Sequence, residues 1–208
     1  MYGQEKRQTV KLTRSGDITV DGKIGEAEWQ GAPAFDMTNG GKVFFKCDGA
    51  YLYIGVRGIK AGGWSQVYLK ESDSTDVTLI HASSALGRSY YRQDASKAWQ
   101  PSGPFVGEIR DRSFTDETRT KMSDYLSRNG WVANNTNLGN PLEVEYKIKR
   151  PDKVGSVLIS VVFVADDVKT QFFPATLSDD GVNSERLLGG FMPRDVKFAF
   201  DQWARLDF

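Results

Sequence analysis

Alternation of apolar and charged residues with a period of two is the feature that most constrains how this chain folds. Its clearest case covers residues 142–149, where Leu, Val, Tyr and Ile alternate with Glu and Lys. Successive side chains of a strand point to opposite faces, so this segment predicts a strand with one wet face. Residues 157–164 are apolar on both faces, which predicts a central strand covered by a second sheet.

Other segments are rich in β-branched and aromatic residues and predict further strands. They cover residues 43–47, 51–56, 67–69, 77–82 and 197–208. Glycine-containing turns such as Asp48-Gly49 separate them, and this density of chain reversals is typical of an all-β protein.

Only one segment predicts a regular helix. Thr115 can cap it, acidic residues occupy its first turn, and Asn129-Gly130 closes it. A second short helical turn is expected over residues 25–30. Residues 94–111 contain two prolines and little periodicity, so we expect a long irregular loop there.

These patterns predict an all-β, antiparallel β-sandwich (jelly-roll or immunoglobulin-like) with one or two short helices. A chain of 208 residues fits one such domain, and we expect residues 1–208 to form it. Residues 1–12 are a candidate flexible N-terminal extension.

The charge balance argues against two classes of partner. The chain has 27 basic and 27 acidic residues, so no long-range field attracts it to nucleic acid or to an acidic membrane. No apolar run has the roughly 20 residues of a membrane helix, so membrane insertion is not expected either. The lone Cys47 excludes an internal disulfide framework.

Two segments near the start of the chain resemble family 9 carbohydrate-binding modules and their DOMON-like relatives. Residues 18–29, ITVDGKIGEAEW, followed by Ala32-Pro33, resemble the opening signature of that family. Residues 43–56, VFFKCDGAYLYIGV, look like its paired strands with their Asp-containing turn. Trp29 within this signature is predicted to be a buried core residue.

The resemblance implies a noncatalytic carbohydrate-binding domain of a secreted, periplasmic or cell-surface protein, attached to other domains or surface proteins. Its partner would be a polysaccharide or an oligosaccharide. In the family, the strand matching residues 62–69 often carries carboxylates near calcium or ligand. This chain has none there, so a calcium site at that strand is in doubt, and the pairs Asp166-Asp167 and Asp179-Asp180 are the other candidate calcium ligands.

Aromatic residues outside the clear strands are the candidate sugar contacts, because sugars stack their C–H faces on flat rings while polar side chains bind the hydroxyls. The predicted carbohydrate-binding residues are Trp64, Trp99, Trp131, Tyr90, Tyr91 and Arg92. Arg88 is a further candidate donor. For any single ring, coverage of a hydrophobic edge is the competing interpretation.

Three alternatives stay open. A haem-binding redox domain would draw its axial ligand from His81, Met37, Met122 and Met192. A hydrolase would need paired carboxylates or a nucleophile beside His81, the only histidine, for which a structural role in a strand is the better interpretation. A structural or protein-binding surface domain would present an apolar patch.

Overall fold

The computed structural model describes residues 7–12, 14, 16, 18–72, 74–83, 86–106, 115–135, 142–151, 154–177 and 196–208. In this part of the chain, two β-sheets pack face to face as a sandwich, which confirms the predicted all-β class. The larger sheet has the order β1-β13-β11-β5-β6-β7-β8, with β12 also pairing with β11. Its strands are β1 (Thr9–Lys11), β5 (Trp64–Glu71), β6 (Asp76–Ala82), β7 (Leu86–Gln93), β8 (Trp99–Val106), β11 (Ser156–Val164), β12 (Gln171–Phe173) and β13 (Ala204–Asp207).

The smaller sheet has the order β2-β3-β4-β10-β9. Its strands are β2 (Ala34–Asp36), β3 (Lys42–Cys47), β4 (Tyr51–Arg57), β9 (Trp131–Asn135) and β10 (Glu143–Lys149). All of its neighbouring strands are antiparallel, and in the larger sheet only β1 and β13 run parallel. Because β1 belongs to the sheet, residues 9–11 of the candidate N-terminal extension are structured.

Strand β11 has the central place that its apolar sequence predicts. It lies between β13 and β5, and it is buried along most of its length. Val161 and Phe163 face the core between the sheets, whereas Val162 and Val164 belong to a second apolar cluster on the outer face of the larger sheet.

That outer cluster corrects the interpretation of residues 197–208. Only Ala204–Asp207 form a strand, and the preceding residues cover the larger sheet from outside. Phe198 packs against Tyr91 and Trp99 with ring centroids 5.3 and 5.5 Å apart. The aromatic rings that made this segment resemble a strand are therefore buried against a sheet surface.

The irregular loop predicted at residues 94–111 is also wrong in part, because residues 99–106 form β8. Pro101 pairs with Tyr91 in β7, and β8 is the last strand in its sheet. Proline is tolerated on an edge strand because its missing N–H faces away from the ladder. Residues 107–111 of the predicted loop lie outside the described residues.

The two predicted helical segments are confirmed as α1 (Glu26–Trp29) and α2 (Asp116–Asn129). The Thr115 hydroxyl accepts a hydrogen bond from the backbone N–H of Thr118 at the start of α2. Gly130 ends the helix in the left-handed conformation, with φ 70°, and its N–H donates to the carbonyl of Leu126. The chain then enters β9 at Trp131.

Candidate functional site

The opening motif, residues 18–29, lies on the outer face of the smaller sheet and is held there by carboxylates of β10. Glu145 of β10 accepts hydrogen bonds from Trp29 Nε1 at 2.7 Å and from the backbone N–H groups of Asp21 and Gly22 at 3.1 and 2.9 Å. Gly55 makes room for the indole, because a Cβ there would lie 3.1 Å from the Trp29 ring. Trp29 is buried, as predicted.

Burial is the main cause of an unusual pKa at Glu145. Loss of hydration raises the pKa of Glu145 to about 7, and the nearby acidic groups of Asp21 and Glu28 add to the rise. The donors from Trp29 and Gly22 oppose it. The described donors around this carboxylate all belong to the motif itself, so the arrangement holds the chain together.

The six predicted sugar contacts lie at separate places in the structure. Tyr91, Trp99 and Trp131 are 0%, 6% and 1% exposed, so they do not offer the open stacking faces that their place outside the clear strands predicted. The reason is that β7, β8 and β9 were not fully recognised as strands. Arg92 is exposed and forms a two-pronged ion pair with Asp76, with both N–O distances 2.7 Å.

Trp64 is half-buried at the start of β5, beside the only histidine. Tyr68 donates to the Gln66 carbonyl at 2.6 Å, which turns the Gln66 amide nitrogen towards His81 Nδ1 at 3.2 Å. His81 Nε2 therefore carries the proton and donates to Ser83 Oγ at 2.9 Å. Burial lowers the pKa of His81 to about 4, so the ring is neutral. This environment agrees with the structural role within a strand that the sequence favours for His81.

Two of the predicted aromatics, Tyr90 and Trp131, meet at a cavity of about 360 Å³ between the sheets. The ends of β5 and β10, the start of β9 and the middle of β7 meet there, at one end of the sandwich, and we call it the end cavity. Its aliphatic wall comprises Leu52, Leu69, Ile80, Ile148 and Val157. Its aromatic and charged residues are Tyr90, Trp131, Phe208, Glu71, Arg88, Lys149 and Arg150.

Backbone carbonyls at the ends of elements position the two arginines. Arg88 donates to the carbonyl of Asn129, the last residue of α2, at 2.7 Å, where the helix dipole favours a cation. Its guanidinium also lies over the Tyr90 ring, 5.4 Å from the centroid. Arg150 donates to the carbonyl of Asp48 at 3.2 Å and lies 4.2 Å from the centroid of Phe208.

Three donors on residues that line the end cavity are buried without a hydrogen-bond partner. They are Nε1 of Trp131, Nε of Arg88 and Nε of Arg150. A buried N–H that lacks an acceptor costs roughly 1–3 kcal/mol, and native proteins leave few of them. The cavity therefore combines an apolar wall, aromatic rings and unused donors.

Sequence reasoning identified part of this site. Tyr90, Trp131 and Arg88 were candidates because of their residue types, but Arg150 and Phe208 were not. Phe208 reaches the cavity only because β13 pairs with β11, and Arg150 because β10 ends beside the turn that contains Asp48. Neither contact has a local signal in the sequence.

A second cavity, of about 540 Å³, lies between the opening motif, α2 and β9, and we call it the opening groove. Ile18, Val20, Met122, Leu126 and Val132 give it an apolar lining, to which Lys147 adds a charge. Met122 is the one described haem-ligand candidate that borders this groove. The other described candidates, Met37 and His81, are buried elsewhere, and Met192 lies outside the described residues.

Within the described ranges, no three His, Cys, Asp or Glu side chains come together to hold a metal ion. Of the proposed calcium pairs, Asp166-Asp167 is engaged by Lys60, whose ammonium contacts the Asp166 carbonyl and the Asp167 carboxylate. Asp179 and Asp180 lie outside the described residues. Neither helix in the described part of the chain is long and apolar enough to cross a membrane.

No protein-family model matches the chain, and no curated protein matches it. One similar solved structure is a "putative carbohydrate-binding protein" from Bacteroides uniformis. The two chains are 9% identical over 98% of this chain and 100% of the other, with a TM-score of 0.48. At this level of similarity the name of that protein does not define the ligand of this one.

Proposed function

We propose that this chain is a noncatalytic carbohydrate-binding domain, similar to family 9 modules, of a secreted or cell-surface protein. We place its sugar site at the end cavity. The observation that carries the proposal is that this cavity brings Tyr90 and Trp131 together with Arg88, three residues whose types suit sugar recognition.

Size and lining support a small polar ligand. A volume of about 360 Å³ falls within the range of roughly 300–1,000 Å³ found for small-molecule sites. Such sites combine apolar and aromatic walls with a few polar groups that fix orientation. Here the half-buried Tyr90 ring can take a C–H face, and the half-buried Arg88 guanidinium can bind ring hydroxyls, with the buried N–H of Trp131 as a further donor if the ring reaches it.

Two features favour binding over catalysis. Hydrolysis of a glycoside generally requires two carboxyl side chains across the scissile bond, and Glu71 is the one acidic side chain among the described lining residues of the end cavity. His81, which could activate a serine, holds its proton on the nitrogen that faces Ser83. In that state it cannot accept the hydroxyl proton.

A glycan-array screen of the purified protein, with and without calcium, tests the proposal. Tyr90→Ala is expected to weaken each hit by about tenfold or more, because stacking on an aromatic ring is lost. Tyr51→Ala is the matched control, since Tyr51 is also a half-buried strand tyrosine but lies on the outer face of the smaller sheet, under Lys147. Equal losses in both variants, or a silent array, would contradict a sugar site at the end cavity.

A second candidate function rests on the opening groove. Its apolar lining and its place beside α2 favour a role in binding another protein, such as an adjoining surface protein. A silent array together with a stable complex that Leu126→Asp disrupts would support that function instead. A purified protein without a haem absorption band would dispose of the redox alternative.

A further inference from the structure

We infer that the sugar bound in the end cavity is acidic, and that its carboxylate lies between Arg88 and Arg150. This inference rests on the proposed function and narrows its ligand class. The argument depends on the sign of the charges around the cavity and on the kind of hydrogen-bonding groups left unused there.

Cations outnumber anions among the described residues that line the end cavity. Arg88, Lys149 and Arg150 stand against Glu71 as the one acidic side chain. Neither arginine forms an ion pair with a described carboxylate, and each donates to one neutral backbone carbonyl instead. Both guanidinium groups are half-buried at one cavity, so an anion supplied by a ligand would find two partners there for charge-assisted hydrogen bonds.

The unused polar atoms at the cavity have the same character. Nε1 of Trp131 and Nε of both arginines are donors that can never accept a hydrogen bond. A neutral hydroxyl that satisfied one of them would also need an acceptor for its own hydrogen. A carboxylate has two oxygens that only accept, and its bonds to guanidinium groups are about twice as strong as neutral ones.

The aromatic residues would bind the sugar ring that carries the carboxylate. Tyr90 and Phe208 already lie against the Arg88 and Arg150 guanidinium groups, at 5.4 and 4.2 Å from the ring centroids. The arginines are therefore held beside flat apolar surfaces. A sugar ring that stacks on such a surface would place a carboxylate substituent within reach of the adjacent guanidinium.

Three matched pairs of probes test the inference by calorimetry. They are methyl galacturonide with methyl galactoside, methyl glucuronide with methyl glucoside, and sialyllactose with lactose. At least one acidic member should bind about tenfold or more tightly than its neutral partner, as expected for a charge-assisted bond. Added salt should weaken the acidic member more than the neutral one.

Arg88→Gln and Arg150→Gln should each remove about tenfold of the affinity for the acidic probe and bring the ratio within a pair towards one. Arg205→Gln is the matched control, because Arg205 is exposed, pairs with Asp207 and does not line the cavity. If one arginine variant fails to fold, the other variant and the wild-type ratios still decide the question.

The outcomes separate the two claims. Equal or tighter binding of the neutral members would overturn the acidic class and leave the carbohydrate-binding proposal standing. Absence of binding to every member by the folded wild-type protein would overturn both claims. Acetate or sulfate binding as tightly as the best acidic probe would show an anion site without sugar recognition, which also overturns the inference.

Discussion

Two buried tryptophans, one in the opening motif and one at the end cavity, differ in whether the indole N–H has a hydrogen-bond partner. Trp29 is 5% exposed and Trp131 is 1% exposed, so both rings belong to the interior. Nε1 of Trp29 donates to Glu145 at 2.7 Å, whereas Nε1 of Trp131 has no partner. The same side chain completes a hydrogen-bond network in one region and leaves a donor unused in the other.

The comparison distinguishes polar groups that bind one another within the fold from polar groups that have no partner there. Around Glu145 the donors and the acceptor belong to one chain, and the network fixes the opening motif to the smaller sheet. Around Trp131 the donors lack an acceptor, although burying them costs free energy. We propose that a ligand offsets this cost at the end cavity, whereas the polar groups of the opening motif already satisfy one another.

The largest expected effect on stability follows from removing the Glu145 carboxylate, which holds the opening motif on the smaller sheet. Glu145→Ala leaves two buried donors, Nε1 of Trp29 and the backbone N–H of Gly22, without an acceptor, and we expect it to lower the free energy of unfolding by about 4 kcal/mol at pH 6. Urea denaturation measures this. Glu71→Ala is the control, because Glu71 lines the end cavity without an ion pair, and its effect should stay below about 0.5 kcal/mol. Similar losses of unfolding free energy in the two variants would contradict the proposed difference between the opening motif and the end cavity.

The next effect is a pH dependence of stability that originates in the opening motif. Burial raises the pKa of Glu145 from 4.5 to about 7, so between these values the folded chain holds a proton that the unfolded chain has released. The free energy of unfolding should therefore fall as pH rises from about 4.5 to about 7, by about 3 kcal/mol in total. Glu145→Gln should remove this slope, and an unchanged slope would assign it to another group.

Exchanging each tryptophan for phenylalanine compares the two regions directly. Both substitutions remove similar buried volume, but only Trp29→Phe removes a hydrogen bond to a carboxylate. At about pH 8, where the Glu145 carboxylate is ionised, Trp29→Phe should therefore cost about 2 kcal/mol more than Trp131→Phe, in line with bonds to charged groups. Trp131→Phe should instead weaken sugar binding. Equal stability losses would mean that the indole N–H of Trp131 has a partner in the folded protein.

The smallest effect is expected at Arg92, a predicted sugar contact. Arg92 is exposed, pairs with Asp76 and does not line the end cavity. Exposed ion pairs contribute little to stability, so Arg92→Gln should leave both the unfolding midpoint and sugar affinity unchanged. Loss of binding in this variant would move the site towards the end of β7.

Most of the sandwich could be predicted from local sequence. Alternation identified β10, the doubly apolar run identified β11 as central, and capping residues located α2. Strand β8 escaped because its prolines are tolerated only at the edge of a sheet, a position that local sequence does not reveal.

The residue types of the candidate site were predictable from the sequence, but the positions that form it were not. Tyr90 and Trp131 were identified as aromatic residues suited to sugars, yet Trp99 and Tyr91 have the same chemistry and lie in the apolar cluster on the outer face of the larger sheet, away from the cavity. Tyr90 and Tyr91 differ in the face of β7 that each side chain takes. Arg150 and Phe208 join the site through long-range strand pairing, which has no local signal.

The indole N–H resonances of the five tryptophans give the most direct test of the central claim. Trp131→Phe assigns its resonance in a ¹⁵N-labelled sample, and Trp29→Phe assigns the other. Titration with the tightest-binding glycan should shift the Trp131 signal as its N–H gains an acceptor, while the Trp29 signal stays in place. A bound glycan that leaves Trp131 unmoved, or that moves Trp29 instead, would contradict the account.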